Sequence, residues 1–452
     1  MPVLQPSGLR GRNVLVLGLG SFGGGVGAAR HLTKVGARVT ATDLRTATAF
    51  GSEIAELNDC GVKLLLGGHS TEMFREAEIV VVNPAVAPSN PWLEVAREFG
   101  CKLTTEVSLA LATLENNASL VVTGTHGKST CASFAAHLLN GLPGRTLLAG
   151  NLGGSLLEAA STLNPGDRLV LELSSFQLHR LEAPPAWPQV AILTVQGEDH
   201  LDWHKSYDAY ASAKLRLLEQ QAQNQLSLST YKELGSNTWK KTSRGRSEEL
   251  KPGFLKNLGL EQLPSSLDFP WLRPLARLAI RGVQEMGVSD EHIANQASNW
   301  PGLPHRMETH LYPREVKIVD NGIATHPEPT IKALGALTNT EQQIVLLAGG
   351  KDKGLPLTKL AAAAQYCTEI HLHGQGGERL ANTLNENASH KRPQPEIILH
   401  ANTQKAMRAA IQTVQPKGTL LFSPSFSSFD EFQNFSERAD LFQNLVNIAF
   451  KK

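Results

Sequence analysis

The sequence predicts an α/β protein built from more than one parallel-sheet domain, and three observations carry that reading. Short, β-rich apolar runs alternate with helical stretches and Gly-rich turns through most of the chain. The runs are apolar almost throughout, as strands covered on both faces are. The chain has 452 residues, too many for one ordinary core, so two or three domains are expected.

Taken in order, residues 14–17, 38–41, 79–82, 120–122, 169–173, 190–193, 344–347 and 420–422 read as strands. Helical patterns lie between them, as at 28–35, at 130–139 and in "YDAYASAKLRLL". Such alternation is the signature of parallel α/β units. A polar break near 114–118 precedes one strand, and the Pro- and Gly-marked "NWPGLPHR" (299–306) reads as a junction. The stretch 220–268 is polar and weakly periodic, and yields no element assignment. No internal repeat stands out.

Composition narrows the class. Apolar content of 41% and charged content of 19% are those of a globular protein in water. With 43 basic against 42 acidic residues, nothing in the charge favours nucleic acid or an anionic membrane as partner. The cysteines (Cys60, Cys101, Cys131, Cys367) are scattered without metal-ligand spacing, which fits a reduced, cytoplasmic setting. No basic leader with an apolar core opens the chain, and no apolar run reaches the roughly 18 residues of a membrane span.

Two glycine-rich loops carry the chemistry. The first, Gly18-Leu19-Gly20-Ser21-Phe22-Gly23, follows a strand and opens a helix, and Asp43 ends the next strand. That fits a nucleotide fingerprint, in which glycines let the backbone approach phosphates and the acid takes a ribose hydroxyl. A tight turn with no ligand is the plainer reading. The second is Thr123-Gly124-Thr125-His126-Gly127-Lys128-Ser129-Thr130. A phosphate loop normally has four residues between its first Gly and the Gly-Lys pair. Here only two separate Gly124 from Gly127, and Val122 stands where the first Gly would be. Even so, N–H groups at a helix start, a lysine and a hydroxyl suit a triphosphate with Mg²⁺.

Downstream, "RLVLELSSFQLH" places Glu172 at a strand end, suited to binding Mg²⁺ directly or through water, or to capping. "AILTVQGEDHLDWH" then delivers Glu198, Asp199, His200 and Asp202, which read as metal ligands or phosphate-site groups. Lys214 follows on a helix, where lysines are usually solvated.

These pieces occur together and in order. To them are added Gly302-Leu303-Pro304-His305-Arg306, Gly349-Gly350-Lys351-Asp352-Lys353-Gly354 and Ser428-Phe429-Asp430. The chain resembles the ATP-dependent Mur ligases, which build the peptidoglycan stem peptide. "ELSSFQL", "GLPHR" and "SPSFSSFDEFQNFSERADLF" resemble the branch that adds D-glutamate to UDP-N-acetylmuramoyl-L-alanine. The loop of that family has the form T-G-T-x-G-K-[ST]-T, so the resemblance accounts for the short spacing.

The resemblance implies three domains: a Rossmann-like UDP-sugar-binding domain (1–114), a central P-loop-type ATPase domain (115–301) and a C-terminal Rossmann-like domain (302–452) for D-glutamate. The first would bind its ligand through Gly18, Gly20, Ser21, Phe22, Gly23, Asp43 and Arg45, bordered by Asn83 and Pro84. Asn151 and Gln177 would face the muramoyl-alanine end. ATP would lie on Gly124, Thr125, His126, Gly127, Lys128, Ser129 and Thr130, with Arg306 and Asp320. Mg²⁺ would be held by Ser129 or Thr130, Glu172 and His200, and by Lys214 as a carbamate. Lys128, His200 and Lys214 would be the catalytic residues, and Thr325, Ser428 and Phe435 would contact D-glutamate. A monomer is implied.

Three departures from the family pattern stand out. The stretch 267–276, "LDFPWLRPLA", lacks a His-Asn motif, and the central domain is short between Lys214 and Gly302. Ile323 replaces a lysine often assigned to D-glutamate. "TVQGEDH" is one residue long. Other readings are a ligase for another amino acid, a non-catalytic UDP-sugar-binding regulator and, from the first loop alone, an NAD(P) oxidoreductase.

Overall fold

A computed structural model of the chain describes residues 3–114, 117–195, 197–230, 238–260, 263–264, 266–338, 343–387 and 394–450. Glu115 and Asn116 of the polar break, Gln196, and parts of the 220–268 stretch (231–237, 261–262 and 265) lie outside the described residues.

Among the described residues the strands form three sheets. The first is β1 (Asn13–Leu17), β2 (Arg38–Asp43), β3 (Lys63–Leu66), β4 (Ile79–Val82) and β5 (Lys102–Thr104), in the spatial order β3-β2-β1-β4-β5. The second holds β6 (Ala118–Thr123), β7 (Thr146–Gly150), β8 (Arg168–Glu172), β9 (Val190–Leu193), β10 (Leu226–Thr230) and β11 (Arg246–Leu250), in the order β11-β10-β9-β6-β8-β7. Both are parallel throughout. The third comprises β12 (Glu308–Tyr312), β13 (Val316–Asp320), β14 (Ile344–Gly349), β15 (Glu369–His373), β16 (Glu396–His400) and β17 (Thr419–Ser425), in the order β12-β13-β17-β14-β15-β16. Only its edge pair β12–β13 is antiparallel.

The predicted α/β class is what the chain adopts, and every predicted apolar run falls on a strand. Val121, Val170, Ile192 and Leu346 are fully buried, as expected of strands covered on both faces. The unassigned 220–268 stretch contributes β10 and β11. Ser227, Ser229 and Thr230 of β10 are buried polar residues, which is why the run does not read as apolar. Their hydroxyls are absorbed locally: Ser229 Oγ donates to Leu193 O (3.1 Å) and Ser227 Oγ to Gln221 Oε1 (2.5 Å).

The first two sheets belong to one compact unit (1–262 with 271–300), and the third to another (263–270 with 301–452). In the first unit one hydrophobic cluster runs from Val14 and Val16 of β1 through Val107 and Leu111 to Leu157, Leu171 and Leu193. The helix Glu106–Ala112, buried along its whole length, joins the two sheets. Its Glu106 carboxylate accepts from Leu157 N (2.7 Å) and Ser155 Oγ (2.9 Å) at the start of the helix Leu156–Ala160. Arg30, on the helix Gly24–Lys34, forks onto both Glu158 oxygens at 2.7 and 2.8 Å. In the second unit Val316, Val345, Leu420 and Phe422 pack against Met407, Phe442 and Val446 from flanking helices.

In each sheet the strand order reverses beside one strand, and open parallel sheets bind ligands there, past the carboxyl ends. The reversals lie between β1 and β4, at β6 between β8 and β9, and where β17 inserts between β13 and β14.

Candidate active site

The first glycine loop crosses the β1–β4 reversal. Asp43, the last residue of β2, turns inward: Oδ2 accepts from Leu19 N (2.9 Å) and Gly20 N (3.4 Å). Arg45 donates through Nε to Asp43 Oδ1 and through Nη2 to Oδ2, both at 3.1 Å, and its Nη1 reaches Ser21 Oγ at 2.9 Å. Burial presses the Asp43 pKa up, but the Arg45 hydrogen bonds and the N–H donors outweigh it and hold it below its usual value. The carboxylate thus pins the loop and aims Arg45, whose guanidinium also lies 4.3 Å over the Phe50 ring. Asn83 closes the opposite wall after β4, its Oδ1 accepting from Ala85 N, with Pro84 half-buried beside it. Phe22 is 82% exposed at the loop tip, and Gly23 begins the helix in the left-handed region.

The second loop lies at the β6 reversal. Register sets Glu172 beside Val122 and Leu193 beside Thr123, so the ends of β6, β8 and β9 meet around Gly124. The helix Lys128–Leu138 starts directly after Gly127. At Gly124 the packing leaves no alternative to glycine, since an added Cβ would lie 1.9 Å from Thr194 Oγ1. That hydroxyl donates to Thr123 O (3.1 Å) and His126 O (2.7 Å), tying the loop to the residue that follows β9.

Two lysines converge on one oxygen. Lys128 Nζ folds back onto Gly124 O and Thr125 O at 3.0 Å, and Lys214 Nζ reaches Gly124 O at 2.9 Å. Lys214 is only 2% exposed, and burial, helped by the nearby Lys128 charge, draws its pKa down to about 7. It comes from the helix Tyr207–Glu219 together with Tyr210, one turn earlier on the same face. The Tyr210 hydroxyl lies 2.9 Å from Thr125 Oγ1, and its ring lies 4.3 Å from Lys214 Nζ. Tyr210 was not among the expected site residues, although the four-residue spacing in "YDAYASAK" was the signal for it.

Glu172 is 2% exposed. Its Oε1 accepts from Asn151 Nδ2 at 3.0 Å, while Oε2 is buried with no partner. A buried carboxylate oxygen left unpaired is costly and calls for a cation. Ser129 and Thr130 sit in the first turn of the phosphate-loop helix. His200 adopts a left-handed backbone at the start of a short helix; its ring is 3.4 Å from Asp199 and packs on Phe176 at 4.6 Å. His204, a turn later, is buried against Ser175 Oγ (2.9 Å), and burial draws its pKa down to about 4. Gln177 spends its carbonyl on a capping box with Ser174, leaving its amide nitrogen.

In the second unit, Asp320 Oδ2 accepts from His305 Nδ1 (2.8 Å) and Gln443 Nε2 (3.1 Å), and Oδ1 from Gly322 N (2.8 Å). Arg306 follows His305 in the same turn. Thr325 lines a narrow crevice with Pro327, Asp352, Lys353, Leu355, Ser425 and Phe426. Lys353 is therefore brought beside Thr325, and among the described residues it makes no ion pair. Ser428 is buried next to this strand end, and Phe435 opens the last helix (Phe435–Phe450). Two triads of His, Asp and Glu also cluster here, His305/Glu308/Asp320 and His373/Asp430/Glu431.

Comparison with known proteins gives three family matches in order: a Mur ligase MurD-like N-terminal domain over 12–105, a Mur ligase middle domain over 122–255, and a Mur ligase glutamate ligase domain over 305–426. The chain is 32% identical to the UDP-N-acetylmuramoylalanine--D-glutamate ligase of Trichlorobacter lovleyi, over 97% of this chain and 99% of that one. It is 31% identical to the enzyme of that name from Geotalea uraniireducens, over 97% and 98%. Among solved structures, MurF ligase from Thermotoga maritima in complex with ADP superposes with TM-score 0.59 at 14% identity, covering 99% of this chain and 97% of that one. UDP-N-acetylmuramate-alanine ligase MurC from the same organism gives 0.56 at 16% identity, over 96% and 98%.

Proposed function

This chain belongs to the Mur ligase family, and we propose that within it the protein joins D-glutamate to UDP-N-acetylmuramoyl-L-alanine at the expense of ATP. The observation that carries this reading is the phosphate loop at the β6 reversal, with Lys128 and Lys214 on the Gly124 carbonyl and the Glu172 end of β8 alongside. A non-catalytic sugar binder has no use for a buried lysine against that loop.

A carboxylate is a poor acyl donor because its leaving group is oxide. Its oxygen therefore attacks the γ-phosphorus of ATP, ADP departs, and an acyl phosphate forms. The D-glutamate amine then attacks the acyl carbon, loses a proton, and expels phosphate. Lys128 trades the two loop carbonyls for the β- and γ-phosphates, and N–H groups at the start of its helix add to that charge. The residues suit Mg²⁺: Glu172 through its unpaired oxygen, Ser129 or Thr130, His200, and Lys214 once carbamylated. Bound there, Mg²⁺ offsets the charge that builds on the transferring phosphoryl group. A Lys214 pKa near 7 leaves much of the side chain as free amine at neutral pH. That neutral amine adds CO₂ and releases a proton, leaving an anionic carbamate where an ammonium would otherwise stand.

The nucleotide sugar lies along the first loop, held by its N–H groups, Ser21 and Arg45, with Asp43 acting through the loop and Arg45. The exposed Phe22 and the Asn83–Pro84 wall flank it, and Asn151 and the Gln177 amide face the muramoyl-alanine end. Arg306 and Asp320 lie in the C-terminal domain (302–452), which brings D-glutamate. There Lys353 supplies the cation that Ile323 does not, in a crevice shared with Thr325, with Ser428 and Phe435 beside it. Water must be kept out while the acyl phosphate waits.

The test is an amino-acid screen with ATP, Mg²⁺ and UDP-N-acetylmuramoyl-L-alanine. D-Glutamate should give the amide product by mass, and L-alanine, L-lysine and meso-diaminopimelate should not. Product from another amino acid alone would replace this reading with a sister ligase.

A further inference from the structure

Arg438 is the largest fully buried side chain of the described residues, at 0% exposure, on the first turn of the helix Phe435–Phe450. Among the described residues no carboxylate pairs with it. Nη2 donates to Phe426 O (3.1 Å), Nη1 makes a long contact to Gly349 O (3.4 Å), and Nε has no partner. Gly350 leaves it room, since an added Cβ would lie 3.0 Å from Nη1. Burial draws its pKa down to about 10, against a raising influence from Asp430. A folded protein rarely keeps an unpaired guanidinium in its interior, because desolvating the charge is costly.

Its surroundings suggest what repays that cost. Phe426, whose carbonyl it holds, lines the Thr325–Lys353 crevice, and Gly349 leads directly into the loop that presents Asp352 and Lys353. Both walls of the crevice are thus braced from beneath by one buried cation. The crevice itself carries Lys353 and a single acid, Asp352, which is engaged by Arg379 Nη2 at 2.8 Å.

We propose that Arg438 is a positioning residue of the amino-acid subsite: it braces the 349–354 and 425–428 loops and adds a standing positive charge beneath the crevice that favours a dicarboxylate. It offsets in part the charge absent at Ile323. The proposal rests on the D-glutamate reading above.

The experiment compares wild type, Arg438→Met and Arg438→Lys in steady-state turnover, with D-glutamate or D-glutamine as acceptor. D-Glutamine keeps the α-carboxylate and loses the side-chain one. Arg438→Met should raise KM for D-glutamate about tenfold or more, leave KM for the UDP-sugar unchanged, and erode the preference for D-glutamate over D-glutamine. Arg438→Lys should weaken KM while keeping that preference, because the charge remains, and it carries the test if the Met variant does not fold. Unchanged KM and preference in both variants, or KM values for all three substrates rising together, would overturn the proposal. Wild type inactive with D-glutamate would instead sink the underlying functional reading.

Discussion

Lys214 illustrates how one residue's surroundings set its chemistry. On a solvated helix face it would stay an ammonium to pH 10 and never react with CO₂. Buried against Gly124 O and near Lys128, it titrates near 7. The carbamate requires the free amine, so acidification through pH 7 removes the modifiable form. Turnover should therefore fall as pH drops from 8 to 6, and bicarbonate should restore it more strongly at the lower pH. Lys214→Met should lose about 10²–10³-fold in kcat and show no bicarbonate response. Full activity of that variant in steady-state assays would remove Lys214 from the mechanism. At the same scale, the Glu172 oxygen without a partner and the lysine-lined loop were not visible in sequence. The resemblance groups residues 124, 172 and 214; the β6–β8 register and the Lys214 bond to Gly124 O show how they come to share one corner.

At the scale of elements, the helix Glu106–Ala112 is the seam between the first two sheets. The Arg30–Glu158 pair is roughly a quarter exposed on each side, and such pairs contribute about 1 kcal/mol or less. Glu106 matters more. Burial raises its pKa from 4.5 to about 7 despite its bonds to Leu157 N and Ser155 Oγ. That rise corresponds to about 3 kcal/mol between its two protonation states. A folded-state pKa above the unfolded one means that the folded protein binds more protons between pH 4.5 and 7, so stability declines as pH rises through that window. Thermal unfolding of Glu106→Gln should show a flatter Tm between pH 5 and 7 than wild type. Parallel curves would place the titration elsewhere.

Elements of this kind were unevenly legible in the sequence. Apolar central strands such as β1, β6 and β9 declare themselves, because both faces are covered. The edges β3, β5, β12 and β16 do not, being short or half-exposed, and β10 is disguised by buried serines. The glycine loops were legible for a different reason: their residues meet backbone constraints that few other residues satisfy. The brace at the amino-acid crevice was not, because Arg438 lies 89 residues from Gly349 and reads as one polar residue of an amphipathic helix.

At the scale of the whole molecule, the three sheets each place a strand-order reversal where a ligand is expected: nucleotide sugar at the first, ATP at the second, amino acid at the third. On the proposed reaction all three ligands are needed, since an acyl phosphate is useful only to an amine that reaches it. The most direct test of this account is the fate of the carboxylate oxygen. UDP-N-acetylmuramoyl-L-alanine labelled with ¹⁸O in its free carboxylate is turned over with ATP, Mg²⁺ and D-glutamate, and the released phosphate is analysed by mass. One labelled oxygen per phosphate is predicted, because the attacking carboxylate oxygen leaves bound to phosphorus. Phosphate without label, at full amide yield, would contradict the acyl-phosphate route.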